Sequence, residues 1–271
     1  MDSHGSTTTI SPALRQVLDK TDEALWHAYA AAVSRTDDIG QPRLVFPYYR
    51  DRTTGKGEQL VRVSEQEARF LLATNATRAN LFYSVETPTQ MMYSFSSSGT
   101  KRRFRSAQSD LTLYESWDRA CYGETAFISV ECKASGFSPE RLSRKSIAKD
   151  MVKLVYEPSR YGLWFHVLRA ANSSSVKGLV VVLGGALQEI VEGKQCHMVP
   201  TLVKPVAKPI ILHICLLRQR FSIEKNITIG SSAGESLPPL QAPQLRLSRT
   251  RLERVVAANG WRTCGQGAEG V

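Results

Sequence analysis

The stretch SAQSDLTLYESWDRACYGETAFISVECKAS, residues 106–135, contains two short runs with the composition of β-strands. The first run begins with Asp110, and the second, residues 126–133, ends with Glu131 and Lys133 two positions apart. Side chains alternate between the two faces of a strand, so Glu131 and Lys133 are predicted to lie on the same face. An acid and a lysine at the end of an apolar strand suit core packing poorly. They are well suited to holding a divalent cation and a water molecule together.

An aspartate followed about twenty residues later by Glu-x-Lys on a hydrophobic strand resembles the PD-(D/E)xK motif of the restriction-endonuclease-like nuclease superfamily. The resemblance implies that Asp110, Glu131 and Lys133 are catalytic residues. Ser109 stands where the name of the motif has a proline, which is often absent. The resemblance also implies a Mg²⁺ ion, replaceable by Mn²⁺, held by Asp110, Glu131 and the main-chain carbonyl of Cys132.

Hydrolysis of a phosphodiester bond needs a water nucleophile, a neutralised phosphate and a stabilised leaving oxygen. Mg²⁺ bound by carboxylates and substrate phosphate meets the second need and lowers the pKa of the water. Lys133 would hold and polarise the water, or stabilise charge on the phosphate. Superfamily members often add an acid from the helix before the strands, which here indicates Glu67 as a further catalytic residue. Glu67 is equally well placed to form a capping box with Ser64. Glu86 could also face the site, although a strand-end residue beside a proline turn is the favoured interpretation.

The chain is basic, with a net charge of +10 over 271 residues, and this surplus favours a polyanionic partner. Nucleic acid is the first candidate, DNA before RNA, and an anionic membrane surface is the second. A basic protein without such a partner remains an alternative. The longest apolar stretch, residues 178–187, is too short to span a bilayer, and the N-terminus lacks the apolar segment of a signal peptide. We therefore expect a cytoplasmic protein without a membrane partner, and a homodimer is left open.

Basic side chains flank the motif on both sides and are predicted to contact phosphate. Four of them lie in the segment just before Asp110, and two lie four residues apart on the helix predicted after the motif. For the two helical lysines a solvated helix face is an equally good interpretation. The predicted nucleic-acid-binding residues are Lys101, Arg102, Arg103, Arg105, Lys149 and Lys153.

The cysteines and the histidines of the apolar runs have no metal-binding pattern. Five scattered cysteines without a CxxC pair indicate neither a structural zinc site nor a disulfide framework. Cys132 and Cys215 lie inside apolar runs and are predicted to be small core residues. His166 and His213 lie in apolar strands and are predicted to be core histidines rather than ligands.

Apolar spacing and capping residues divide the chain into helices and strands. Ser11 and Pro12 have the types expected at a helix start, and Pro88 is predicted to end a strand. Residues 176–183 are rich in valine and could form a strand instead of part of the last helix. Helices are predicted at residues 11–34, 64–76, 143–156 and 173–193, and strands at residues 79–86, 91–96, 110–114, 126–133, 163–168 and 209–217.

The first strands are joined by loops and the later ones through helices, which predicts an antiparallel meander followed by parallel crossover strands. The fold class is therefore α/β, a mixed sheet with helices on both faces, and this is the plan of the restriction-endonuclease-like core. We expect one nuclease-like domain at residues 1–230, with a core at about 64–217 and an N-terminal helical extension at 10–35. Residues 231–271 are expected to form a weakly structured basic tail rich in Pro, Gly and Ser.

The function that this pattern favours is metal-dependent phosphodiester hydrolysis, with DNA as the preferred substrate. The alternative is a non-catalytic protein of the same fold that binds nucleic acid or another partner through its basic surface. The complete set of Asp110, Glu131 and Lys133 favours the enzyme, because a protein that only binds has no need of all three.

Overall fold

The structure is a computed structural model of the chain. It describes residues 10–34, 44–50, 59–95, 104–122, 125–135, 144–169, 173–192, 198–201, 205–217, 221–229 and 262–265. The predicted phosphate contacts Lys101, Arg102 and Arg103 lie outside the described residues, as does most of the predicted tail.

Helices and strands alternate along the described chain. The helices are α1 (Pro12–Ser34), α2 (Glu65–Arg78), α3 (Trp117–Cys121), α4 (Arg144–Tyr156) and α5 (Ser173–Val191). The strands are β1 (Tyr48–Arg50), β2 (Gln59–Val61), β3 (Phe82–Phe95), β4 (Phe104–Tyr114), β5 (Ile128–Ser135), β6 (Tyr161–Leu168), β7 (Met198–Pro200), β8 (Lys208–Leu216), β9 (Phe221–Ile229) and β10 (Arg262–Gly265). All four predicted helices are confirmed, including the helical interpretation of α5.

One mixed sheet contains eight of these strands in the order β10-β9-β8-β6-β5-β4-β3-β7. Strands β3, β4 and β5 form an antiparallel meander, and β5, β6 and β8 are parallel. The predicted α/β class and its combination of a meander with parallel crossover strands are confirmed. A separate hairpin pairs β1 with β2.

Helices cover both faces of the sheet, as β6 illustrates. Leu163, Phe165 and Val167 pack in one apolar cluster with side chains of α1 and α2. Trp164 and Leu168, at alternate positions, pack in a second cluster with α4 and α5. The strand reads as a continuous apolar run because both of its faces are buried in this way.

Helix α1 belongs to the hydrophobic core. The Ser11 hydroxyl accepts the main-chain N–H of Leu14 at 3.2 Å, which confirms the predicted cap. The side chains of Leu14, Val17 and Leu18, at helical spacing, are fully buried in the first cluster. The core therefore includes the segment that the sequence pattern assigns to an extension.

The prediction that Pro88 ends a strand is wrong, because β3 continues through it with a register shift between Pro88 and Met92. Such an irregularity leaves main-chain donors outside the ladder. The carboxylate of Glu157 accepts two of them, the N–H groups of Gln90 at 2.8 Å and Met91 at 3.1 Å. A buried carboxylate thus supplies the hydrogen bonds that the neighbouring strand does not.

Several elements have no signal in the apolar pattern. Helix α3 lies between β4 and β5, and β9 extends the sheet beyond β8. Strand β10 lies within the predicted tail and pairs with β9 through its main chain. Main-chain pairing of this kind needs no apolar side chains, which is why composition did not reveal it. No described helix combines the length and the apolar character needed to cross a membrane.

A buried ionic network joins α1 to β8 and β9. His213 is fully buried, as predicted for a core histidine, and its Nε2 lies 2.9 Å from an oxygen of Asp22. Its Nδ1 lies 3.5 Å from Glu224, which accepts two hydrogen bonds from Arg15 at 3.1 and 3.2 Å. Burial alone would lower the pKa of His213, but the Asp22 and Glu224 carboxylates outweigh it and raise the pKa to about 9.

The protonated His213 should make stability depend on pH. Its pKa is higher in the folded chain than the ordinary 6.5, so its contribution is complete below pH 6.5 and is lost as pH rises through about 9. We expect the contribution of His213 to the free energy of unfolding to fall by up to about 3 kcal/mol across this window. In urea denaturation at a series of pH values, the unmodified protein and His27→Gln should therefore lose stability relative to His213→Gln as pH rises. A difference from His213→Gln that does not change with pH would contradict the assignment.

Candidate active site

The three motif residues lie together where β4 and β5 run side by side. The register pairs Leu111 with Val130, which brings Asp110 next to Glu131 on the neighbouring strand. The Asp110 carboxylate accepts the main-chain N–H of Cys132 at 2.8 Å. The same Asp110 oxygen lies 3.7 Å from the Lys133 ammonium. Alternation along β5 and antiparallel pairing with β4 thus bring together residues that lie about twenty positions apart.

Lys133 is the partly accessible cation of this cluster. Its ammonium lies 2.9 Å from Asp150 on α4, 3.7 Å from Asp110 and 3.9 Å from Glu65 at the start of α2. Burial would lower the pKa of Lys133, but Asp150, Asp110 and Glu131 outweigh it and raise the pKa above its ordinary value. Lys133 therefore carries a positive charge at neutral pH.

Glu131 is buried completely beneath α4. Burial raises the pKa of its carboxyl group well above the ordinary value, and the Lys153 ammonium opposes that shift. One carboxylate oxygen lies 2.7 Å from this ammonium. Apart from the ion pair, neither oxygen of Glu131 has a hydrogen-bond partner among the described residues.

The two α4 lysines predicted to bind nucleic acid occupy different surroundings. Lys149 is exposed on the outer side of the helix. Lys153 is only 5% exposed, and besides Glu131 it contacts Asp150 at 3.2 Å and the carbonyl of Gln108 at 2.7 Å. Lys153 therefore belongs to the interior of the site instead of a solvated helix face, and its contact with phosphate remains a prediction.

Asp150 is a site residue that the sequence reasoning missed. Burial would raise the pKa of its carboxyl group, but Lys153 and Lys133 outweigh it and hold the pKa below its ordinary value. Asp150 precedes Lys153 by three residues, so both side chains lie on one face of α4. The sequence signal that could have identified Asp150 is the presence of an acid and a lysine, Asp150 and Lys153, on the apolar side of the helix after the motif.

Two other predicted acids are engaged outside this cluster. Glu67 forms the capping box of α2, where its carboxylate accepts the N–H of Ser64 at 2.9 Å. The capping interpretation of Glu67 is confirmed, and the α2 acid that faces Lys133 is Glu65. Glu86 forms an ion pair with Arg69 at 3.3 Å.

Arg105, one of the predicted phosphate contacts, is exposed on β4, five residues before Asp110.

The donors of the site suit Mg²⁺ in their chemistry. Among the described residues, no group of three His, Cys, Asp or Glu side chains is arranged to hold a metal ion. Mg²⁺ is nevertheless commonly held by only one or two carboxylates, with water and substrate phosphate completing its shell. Asp110 and Glu131 supply two such carboxylates, and a completely buried oxygen of Glu131 lacks a partner. Together with the carbonyl of Cys132 they are the residues that would hold the ion.

Comparisons with known proteins identify no relative. A scan of family models finds no match, and neither do searches of curated proteins and of solved structures. The resemblance to PD-(D/E)xK nucleases therefore depends on the residues of this chain and on the chemistry of its site.

The buried ion pair between Glu131 and Lys153 should be essential for stability. Lys153→Met leaves the Glu131 carboxylate buried without a partner, and we expect a loss of roughly 3–5 kcal/mol in the free energy of unfolding. Glu131→Leu combined with Lys153→Met removes both charges and should restore much of that loss. Lys149→Met, on the exposed side of the same helix, should change stability by less than about 0.5 kcal/mol. Urea denaturation measures all three, and equal stability of the two lysine variants would contradict the pairing.

Proposed function

We propose that this protein is a metal-dependent nuclease of the cytoplasm that hydrolyses phosphodiester bonds, with DNA favoured over RNA. The observation that carries the proposal is the cluster formed by the motif residues. The Lys133 ammonium lies 3.7 Å from Asp110, which also accepts the N–H of the residue between Glu131 and Lys133. The order of elements around this cluster supports a restriction-endonuclease-like arrangement, with the aspartate and Glu-x-Lys on neighbouring antiparallel strands.

Each residue of the cluster has a distinct task in this reaction. A bound Mg²⁺ would lower the pKa of the attacking water and neutralise the phosphate. Asp110, Glu131 and the Cys132 carbonyl would hold it. The charged ammonium of Lys133 would orient the water and stabilise the negative charge that develops on the phosphate.

The charge of the chain supports a polyanionic substrate. The net charge is +10, and Arg105 and Lys149 lie exposed on the two elements that carry Asp110 and Asp150. Cations at such positions would contact phosphate in the ground state and set affinity, while the partly accessible Lys133 would act on the reacting phosphate. Binding and chemistry are thus assigned to different residues.

A second candidate is a non-catalytic binding protein of the same fold. The observation that favours it is the pairing of the buried acids, since Lys153 already contacts Glu131 and Asp150. In that case the lysines would serve only to neutralise the acids beneath α4. The two candidates differ in one property, which is metal-dependent cleavage.

The nuclease proposal is tested by incubating plasmid DNA, single-stranded DNA and RNA with the protein in Mg²⁺, Mn²⁺ or EDTA. We expect cleavage with either metal and none in EDTA. Lys133→Ala should lower kcat by roughly 100-fold or more, because the lysine acts on the water and on transition-state charge. The affinity of the Lys133→Ala variant for nucleic acid, measured in EDTA, should equal that of the unmodified protein. Lys20→Ala, an exposed lysine on α1, serves as the control and should cleave at the normal rate.

Arg105→Ala should have the opposite effect to Lys133→Ala, with weaker binding, a smaller salt dependence and little change in kcat. Binding without cleavage under all of these conditions would establish the non-catalytic candidate instead. Cleavage that persists in EDTA or in Lys133→Ala would show that the reaction occurs elsewhere.

A further inference from the structure

The carboxylate of Asp150 connects the two lysines of the site. One of its oxygens lies 2.9 Å from the Lys133 ammonium, and the other lies 3.2 Å from the Lys153 ammonium. Lys153 is held in turn by Glu131 at 2.7 Å and by the carbonyl of Gln108 at 2.7 Å. Asp150 therefore joins the partly accessible lysine of β5 to a lysine whose position is fixed by the core.

Asp150 is the nearest and the most buried of the three acids whose carboxylates lie within 4 Å of the Lys133 ammonium. The other two, Asp110 and Glu65, lie 3.7 and 3.9 Å from the ammonium. The Asp150 side chain is 13% exposed, compared with 25% for Asp110 and 47% for Glu65. A shorter separation in a less hydrated place gives the stronger interaction, so Asp150 dominates where the ammonium lies.

The helix that carries Asp150 is packed closely on the sheet. Met151 and Leu154 of α4 are buried against it. At Gly162 of β6, an added Cβ would lie 2.6 Å from the Ile210 side chain and 3.0 Å from the carbonyl oxygen of Leu154. The absence of a side chain at Gly162 thus relieves crowding where helix and strand approach closely. A carboxylate on such an element can hold the long, flexible side chain of Lys133 in one place.

We propose that Asp150 is a positioning residue that fixes the Lys133 ammonium at the reacting phosphate, an inference that rests on the proposed nuclease function. Without the Asp150 charge, Asp110 becomes the nearest carboxylate to Lys133. The ammonium would then shift onto the acid that has to hold the metal. The water and the phosphate would lose their oriented cation, although the surface that binds nucleic acid is unchanged.

Asp150→Asn tests the inference because it removes the charge and preserves the shape. We expect kcat to fall by roughly 10–100-fold with KM unchanged, since a displacement of about 1 Å costs on this order. Asp150→Glu retains the carboxylate at a different length and should recover part of the lost rate. Glu65→Gln removes the same charge from the same lysine at a longer distance and should have a much smaller effect.

If only the total negative charge around Lys133 mattered, kcat would fall equally in Asp150→Asn and Glu65→Gln. Equal losses in these two variants would overturn the positioning role. An unchanged kcat in Asp150→Asn, with cleavage by the unmodified protein, would overturn this inference alone. No cleavage by the unmodified protein would overturn the proposed function, and the inference with it. If Asp150→Asn lacks a cooperative thermal transition, the Asp150→Glu variant tests the inference instead. A kcat equal to that of the unmodified protein in Asp150→Glu would contradict the positioning role.

Discussion

The ion pair of Glu131 with Lys153 is the interaction on which both the core and the candidate site depend. An ionised carboxylate under a packed helix is costly unless an opposite charge lies against it, and Lys153 supplies that charge at 2.7 Å. The pair can form only if α4 crosses β5 with Lys153 facing the sheet. Docking of the helix and neutralisation of the acid therefore require the same arrangement of α4 on β5. That arrangement also brings Asp150 to Lys133, so the candidate site depends on the packing of the core.

Side chains of β5 alternate between an apolar face and a charged face of the sheet. Ile128, Val130 and Cys132 pack in the cluster with α1 and α2, whereas Glu131 and Lys133 meet α4 on the opposite face. A single strand can thus anchor the core and carry charges only two residues apart. This arrangement buries the Glu131 carboxylate, and Lys153 of α4 neutralises its charge.

Much of the fold follows from local patterns, because helix spacing, capping residues and apolar strands are visible in the sequence. The same holds for the grouping of Glu131 with Lys133, which needs only the two-residue period of a strand. Asp150 and Lys153 could not be placed in the site in this way, since their role depends on which face of α4 meets β5. The continuation of β3 through Pro88 depends on Glu157, a residue about seventy positions away that accepts the displaced donors. Contacts of this kind are tertiary, so local patterns do not specify the partners.

The two lysines of the site differ in what they can do for a substrate. Lys153 is buried and held by three oxygen atoms. It could contact a phosphate only by breaking its ion pair with Glu131. Lys133 is partly accessible, and its three carboxylate neighbours lie at unequal distances. A charge that must act on a reacting group has to be reachable and yet fixed, and only Lys133 meets both conditions. Lys153 thus belongs to the core, and in the proposed nuclease Lys133 would be the lysine that acts on the substrate.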